Sequence, residues 1–228
     1  MPIAIITGAS RGLGLALARS LAQDGWGLVI DARGAADLES AAGELKQLTE
    51  VVAIPGDVAD PEHREALISA AGPSIDVLVN NASVLGPSPQ PTLGDYPLAE
   101  LERVYRVNVL APLALAQHVL PRLTKTGAII NVTSDAAVEA YEGWGGYGSA
   151  KAALDQLSAI LAAEHPELRI YAVDPGDMRT QLQQEAFPGE DISDRPPPEE
   201  SVPGLRHLID GTAPSGRYRA RELAEVGA

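Results

Sequence analysis

The sequence predicts an α/β fold: one doubly wound parallel sheet of about seven strands with helices on both faces. Three observations predict it. Short Val/Ile-rich runs alternate with helical stretches along the chain. Those runs are apolar almost throughout, as strands covered on both faces are. A glycine-rich turn from Gly8 to Gly14 lies between the first run and the first helix, where backbone N–H groups can meet an anion.

Each element follows from a local signal. Residues 3–7, 28–31, 51–54, 77–80, 128–132 and 170–173 are the apolar strand candidates, and Gly216–Arg219 reads as a seventh. Residues 13–23 carry apolar side chains at helical spacing and are closed by Asp24-Gly25. Helical stretches are also expected at 35–48, 62–71, 98–124 and 147–164. Parallel strands need right-handed crossovers, and these helices supply them. Residues 183–203 are acidic and rich in proline. The whole chain reads as a single domain, with a substrate lid over about 177–203. The tail from 222 to 228 is expected to fray.

Composition narrows the function. The chain has 228 residues, with 17 Lys+Arg against 31 Asp+Glu and a formal net charge of −14. Such a field repels phosphate backbones and anionic lipid, so neither nucleic acid nor membrane is an expected partner. There is no cysteine, which excludes disulfides, zinc-thiolate sites and thiol nucleophiles. Four histidines (His63, His118, His165 and His207) make no metal-ligand spacing and read as surface or half-buried packing. No leader-like segment or long apolar run is evident, so a cytoplasmic protein is expected.

The glycine turn reads Thr7-Gly8-Ala9-Ser10-Arg11-Gly12-Leu13-Gly14. Its spacing is G-x-x-x-G-x-G, and alone it is a weak signal. Further motifs follow in order: Asp57-Val58 after the third strand, Asn80-Asn81-Ala82 at the end of the fourth, and Asn108 in the long helical stretch. Ser134 follows the fifth strand, Tyr147 and Lys151 lie four apart on one helix face, and Pro175-Gly176 with Thr180 follows the sixth. This series resembles the short-chain dehydrogenase/reductase family over nearly the whole chain. The stretch around Trp144, residues 164–169 and Gln183 is also similar to its sepiapterin reductase branch.

The resemblance implies a Rossmann-type fold that binds NAD(P) and transfers a hydride between nicotinamide C4 and a carbonyl or secondary alcohol. Tyr147 would be the general acid/base. A free tyrosine titrates near 10, and the Lys151 ammonium is expected to lower that. Lys151 would also hold the nicotinamide ribose, and Ser134 the substrate oxygen. Asn108 would position a water linking Lys151 to solvent. Read alone, each has a bland alternative: a solvated Tyr/Lys pair, a strand-end cap, a kink caused by Pro112.

The resemblance also assigns the cofactor contacts to Gly8, Ser10, Arg11, Gly12, Leu13, Gly14, Asp57, Val58, Asn81, Ala82, Pro175, Gly176 and Thr180, beside Tyr147 and Lys151. The position that discriminates between cofactors falls on Ala32, with Arg33 next; Asp31 should point elsewhere. Ala32 leaves room for a 2′-phosphate, and Arg11 and Arg33 offer guanidinium forks. NADP(H) is therefore the expected cofactor. NAD(H) stays possible if the register slips to Asp31.

Substrate contacts are expected from Asp135, Tyr141, Trp144, Asp177 and Phe187, three of which could form an aromatic wall. Ser83 stands where the family has glycine, a departure that would strain a backbone needing positive φ. The long helices are implied to pair in a homodimer or homotetramer. Two other readings remain: an NAD-linked alcohol dehydrogenase, and a non-catalytic dinucleotide-sensing module.

Overall fold

The computed structural model describes residues 1–226. Its strands are β1 (Ile3–Ile6), β2 (Gly27–Ala32), β3 (Val51–Pro55), β4 (Ile75–Asn80), β5 (Leu123–Val132), β6 (Arg169–Asp174) and β7 (Gly216–Arg219). They form one seven-stranded sheet in the order β3-β2-β1-β4-β5-β6-β7, and every neighbouring pair is parallel. The helices are α1 (Gly12–Gln23), α2 (Ala35–Leu45), α3 (Pro61–Ala71), α4 (Leu98–Tyr105), α5 (Ala111–Val119), α6 (Gly145–Glu164), α7 (Gln181–Ala186), α8 (Val202–Asp210) and α9 (Ala220–Val226).

Alternation along the strands builds two cores. Ile6, Ile30, Val79 and Tyr171 face α1, α2 and α8, where Leu17, Leu38 and Leu205 are fully buried. Ile5, Val29, Leu78 and Ile170 face the other way, onto Leu67 of α3, Leu115 of α5 and Leu161 of α6. The chain order reverses between β1 and β4. Their carboxyl ends splay there and leave a crevice, the usual ligand site of such a sheet.

Several boundaries differ from the sequence reading. The expected helix over 98–124 is two helices joined by a π-helical turn at Arg106–Leu110, and β5 already begins at Leu123. Pro112 directly follows the π-helical turn in an unbroken helical run, and its ring crowds the carbonyl four residues back, at Asn108, where the helix widens. α2 stops at Leu45 rather than 48. The stretch 183–203 contains most of α7, and its end belongs to the core: Ser201 is buried and Val202 opens α8. The tail is helical through Val226, and residues 227 and 228 lie outside the described residues.

Candidate active site

The floor of the crevice is a set of short stitches between β1 and β4. Thr7 Oγ1 accepts the amides of Asn81 and Ala82, each at 3.0 Å. Asn81 Nδ2 donates back to the Thr7 carbonyl at 2.8 Å and the Gly8 carbonyl at 3.1 Å. Gly8 and Gly12 have φ of +67° and +57°, which a side chain would strain. Gly14 serves packing instead: a Cβ there would lie 2.6 Å from the Gly8 carbonyl oxygen. Behind this floor, Asn80 Nδ2 donates to Asn131 Oδ1 and Asn131 Nδ2 to Ser158 Oγ, both at 2.8 Å. This buried polar chain fixes β4, β5 and α6 to one another.

Over the floor lies a cavity of about 740 Å³. At one end it is lined by Gly8, Ser10, Arg11, Gly12 and Leu13, with Ala32, Arg33, Asp57 and Val58 beside them. Asn81, Ala82, Pro175, Gly176 and Thr180 line its middle. Asp31 is 1% exposed. Its Oδ1 accepts from the Gly8 amide at 2.7 Å and its Oδ2 pairs with His63 Nε2 at 2.9 Å. Burial raises its pKa, and the His63 and Gly8 hydrogen bonds pull the other way. His63 is thus a buried partner rather than surface packing. The exposed Arg11 guanidinium meets the Asp37 carboxylate at 3.5 Å.

The other end carries Ser134, Asp135, Trp144, Tyr147, Lys151 and Asp177. Tyr147 and Lys151 come from the first turns of α6, and both are buried. Lys151 Nζ donates to the Val132 carbonyl at 2.7 Å and lies 5.4 Å from the Tyr147 ring centroid. Burial lowers its pKa to about 8, partly opposed by Asp155. Burial raises the Tyr147 phenol well above its usual value. The expected lowering of that phenol by Lys151 is overturned: desolvation dominates, and the side chain that favours the phenolate is Ser83.

Asn108 sits in the π-helical turn, fully buried. Its Oδ1 accepts from the Val84 amide at 3.0 Å and from Ser83 Oγ at 3.2 Å, and its Nδ2 donates to the Val84 carbonyl at 2.9 Å. Its side chain therefore holds the loop after β4. Ser83 takes the family's glycine position without strain, because no described non-glycine residue has positive φ.

Ser134 Oγ donates to Asp135 Oδ1 at 2.8 Å, and Asp135 Oδ2 accepts from Tyr141 at 3.0 Å. Trp144 makes ring contacts with Tyr147 (5.9 Å), Phe187 (6.1 Å) and Tyr141 (6.4 Å). Of the three expected aromatics, Trp144 faces the cavity while Tyr141 and Phe187 back it. Met178, Leu182 and Gln183, all within the stretch 177–203 expected as a lid, also line the cavity; of the three, the sequence singled out Gln183 alone.

A family model described as short chain dehydrogenase matches residues 2–191. The chain belongs to the short-chain dehydrogenase/reductase family. Mouse (Mus musculus) sepiapterin reductase is 33% identical over 201 residues, covering 80% of this chain and 76% of that protein. Serine 3-dehydrogenase of Agrobacterium fabrum is 34% identical over 185 residues, covering 78% and 72%. Among solved structures, an alcohol dehydrogenase of the archaeon Thermococcus sibiricus, complexed with 5-hydroxy-NADP, superposes with a TM-score of 0.86 at 30% identity, covering 96% of this chain and 95% of that one. This short-chain dehydrogenase/reductase is therefore an oxidoreductase. Within the family frame, the Asp31–His63 pair is a feature of this chain that its motifs did not announce.

Proposed function

We propose that the protein transfers a hydride between NADP(H) and the carbonyl or secondary alcohol of a small molecule, with Tyr147 as general acid/base. One observation carries this reading: the cavity that begins at the glycine turn ends at Tyr147, Lys151 and Ser134. A dinucleotide suits that shape. Thr133 Oγ1 is buried on the cavity wall without a hydrogen-bond partner, and Gly12 opens α1 beside the cavity, where the first backbone amides of a helix suit a pyrophosphate.

When bound, the nicotinamide supplies the hydride chemistry. The protein supplies the proton and the charge stabilisation. In reduction, the neutral Tyr147 phenol gives its proton to the substrate oxygen. Ser134 Oγ turns from Asp135 and donates to the same oxygen as charge develops there. Lys151 stays mostly protonated at neutral pH, and its Nζ lies beside the Tyr147 ring, 5.4 Å from the centroid. Trp144 and Leu182 keep water from the reacting end, and residues 177–203 act as the lid.

The preference for NADP(H) rests on Ala32, Arg33 and Arg11. Asp31 is committed to Gly8 and His63 and does not oppose a 2′-phosphate. The exposed Arg11–Asp37 pair is worth ~1 kcal/mol at most, so Arg11 turns to a phosphate at small cost. The NADP analogue in the archaeal neighbour supports the same choice. Fluorescence titration with NADPH and NADH tests it: tighter NADPH binding is expected, and tighter NADH binding would overturn it.

A cytoplasmic homodimer completes the proposal. Leu98, Leu110 and Ile160 are 74%, 56% and 43% exposed on α4, the π-helical turn and α6, an apolar surface for a twofold contact. Sedimentation at micromolar concentration is expected to give twice the chain mass. Among the described residues, no helix is long and apolar enough to cross a membrane.

A further inference from the structure

β7 ends the sheet, and its Arg217 lies opposite Ala172 of β6. Tyr218 packs on Tyr171 against the first core, with ring centroids 5.9 Å apart. By alternation, Arg217 turns to the opposite face, where α6 lies. Its guanidinium makes three contacts there. Nε donates to Asp155 Oδ2 at 3.0 Å, and Nη2 donates to the Ser134 carbonyl at 3.0 Å. Nη2 also lies 3.5 Å from Asp174 Oδ2. One side chain thus ties the turn after β5, the middle of α6 and the end of β6.

The spacing on α6 gives this fork its meaning. Tyr147, Lys151 and Asp155 follow one another at four-residue steps and share a helix face. The first two reach the cavity, and the third meets Arg217. Asp155 is the carboxylate that acts on Lys151 electrostatically, and its side chain is only 14% exposed. The titratable groups that meet Lys151 are Tyr147 and Asp155 of its own helix, and beyond Asp155 stand Arg217 of β7 and, against it, Asp174 of β6. A planar guanidinium presents its donors in a fixed fork, which a lysine ammonium does not.

We propose that Arg217 is a positioning residue: it holds Ser134 in register with Tyr147 and Lys151, and screens Lys151 from the Asp155 carboxylate. This deepens the proposed function and rests on it, since it takes Ser134, Tyr147 and Lys151 as the reacting set. Arg217 acts only through Ser134 and Asp155.

Arg217→Gln and Arg217→Lys test it with two readouts. The first is kcat per NADPH-binding site, counted by titration so that any unfolded fraction cancels. A loss of ~10-fold or more is expected in both variants, because small misplacements of reacting groups are costly. The second is the titration of Lys151 by NMR on lysine-labelled protein, which is tractable because the chain has three lysines, Lys46, Lys125 and Lys151. Arg217→Gln should move that titration to higher pH, and Arg217→Lys should keep it near the wild-type value. Wild-type kcat per site and wild-type titration in Arg217→Gln would overturn the proposal, leaving Arg217 as a staple for the last strand. If the wild-type enzyme turns over no carbonyl, the dehydrogenase reading fails instead. The titration then decides the screening role by itself.

Discussion

The Asp31 carboxylate holds the Gly8 amide at 2.7 Å, and its second oxygen holds His63 Nε2 at 2.9 Å. An acid at the end of β2 would ordinarily read the adenosine ribose. Here one oxygen seats the glycine turn and the other holds His63 of α3, while Ala32 and Arg33 line the cavity beside them.

Two substitutions separate these roles. Ala32→Asp puts a carboxylate where the 2′-phosphate would lie. It should weaken NADPH binding by ~10-fold or more through like-charge repulsion, with little loss for NADH. Asp31→Asn instead loosens the glycine turn and should weaken both cofactors alike, leaving their ratio unchanged. Fluorescence titrations of the two variants check this; a changed ratio in Asp31→Asn would mean that Asp31 reads the ribose.

Tyr147→Phe removes the phenol and little else, since the ring packs against Trp144, Leu85 and Ala136. Carbonyl reduction should fall ~100-fold or more, the scale of general-acid contributions, while the NADPH dissociation constant stays within ~2-fold. Turnover at the wild-type rate would remove Tyr147 from the mechanism.

Lys151 carries a stability cost with a definite pH sign. Its folded pKa of about 8 lies below the ordinary 10.5. Below pH 8 the lysine is charged in both states, and the folded state bears the full cost of burying it. Between about 8 and 10.5 the folded state releases its proton first, so stability should rise with pH. Lys151→Met abolishes that slope. At pH 7 it should gain roughly 1–2 kcal/mol, because relief of about 3 kcal/mol is offset by the orphaned Val132 carbonyl. Urea denaturation at pH 7 and pH 10 measures both effects, and turnover is lost throughout.

The parallel sheet was legible because each strand is an apolar run bounded by polar turns, and because alternation along Ile5-Ile6 feeds both cores. The glycine turn, the Tyr147/Lys151 pair and Ser134 could be singled out because each stands at a fixed place relative to a strand or helix, and the structure lines one cavity with all of them. What escaped lies at longer range. Pro112 hints at a disturbance near Asn108, but nothing local says that the helical pattern over 98–124 answers it with a π-helical turn. The His63–Asp31 pair joins residues 32 apart in sequence, and no motif links them. The early start of β5 is equally silent, because Leu123 to Gly127 alternates too weakly to be told from a helix end.

Ser83 is where a departure from the family became informative. Its hydroxyl has one proton and two takers. It donates to Asn108 Oδ1 at 3.2 Å, and it also favours the Tyr147 phenolate. When Tyr147 is neutral, the proton can stay with Asn108. When Tyr147 loses its own proton, the Ser83 hydroxyl can turn to the phenolate. Ser83→Gly removes that donor and leaves the turn unstrained. The Tyr147 pKa should then rise further, because desolvation already pushes it up and nothing replaces the lost hydrogen bond. Alcohol oxidation needs the phenolate, so its rate rises with pH throughout the range below that raised pKa. In Ser83→Gly this limb should move to higher pH, lowering the oxidation rate several-fold at any pH on the limb. Carbonyl reduction begins from the neutral phenol and should change less. Parallel pH–rate profiles in the two directions check the asymmetry; equal losses in both would show that Ser83 serves only to hold Asn108.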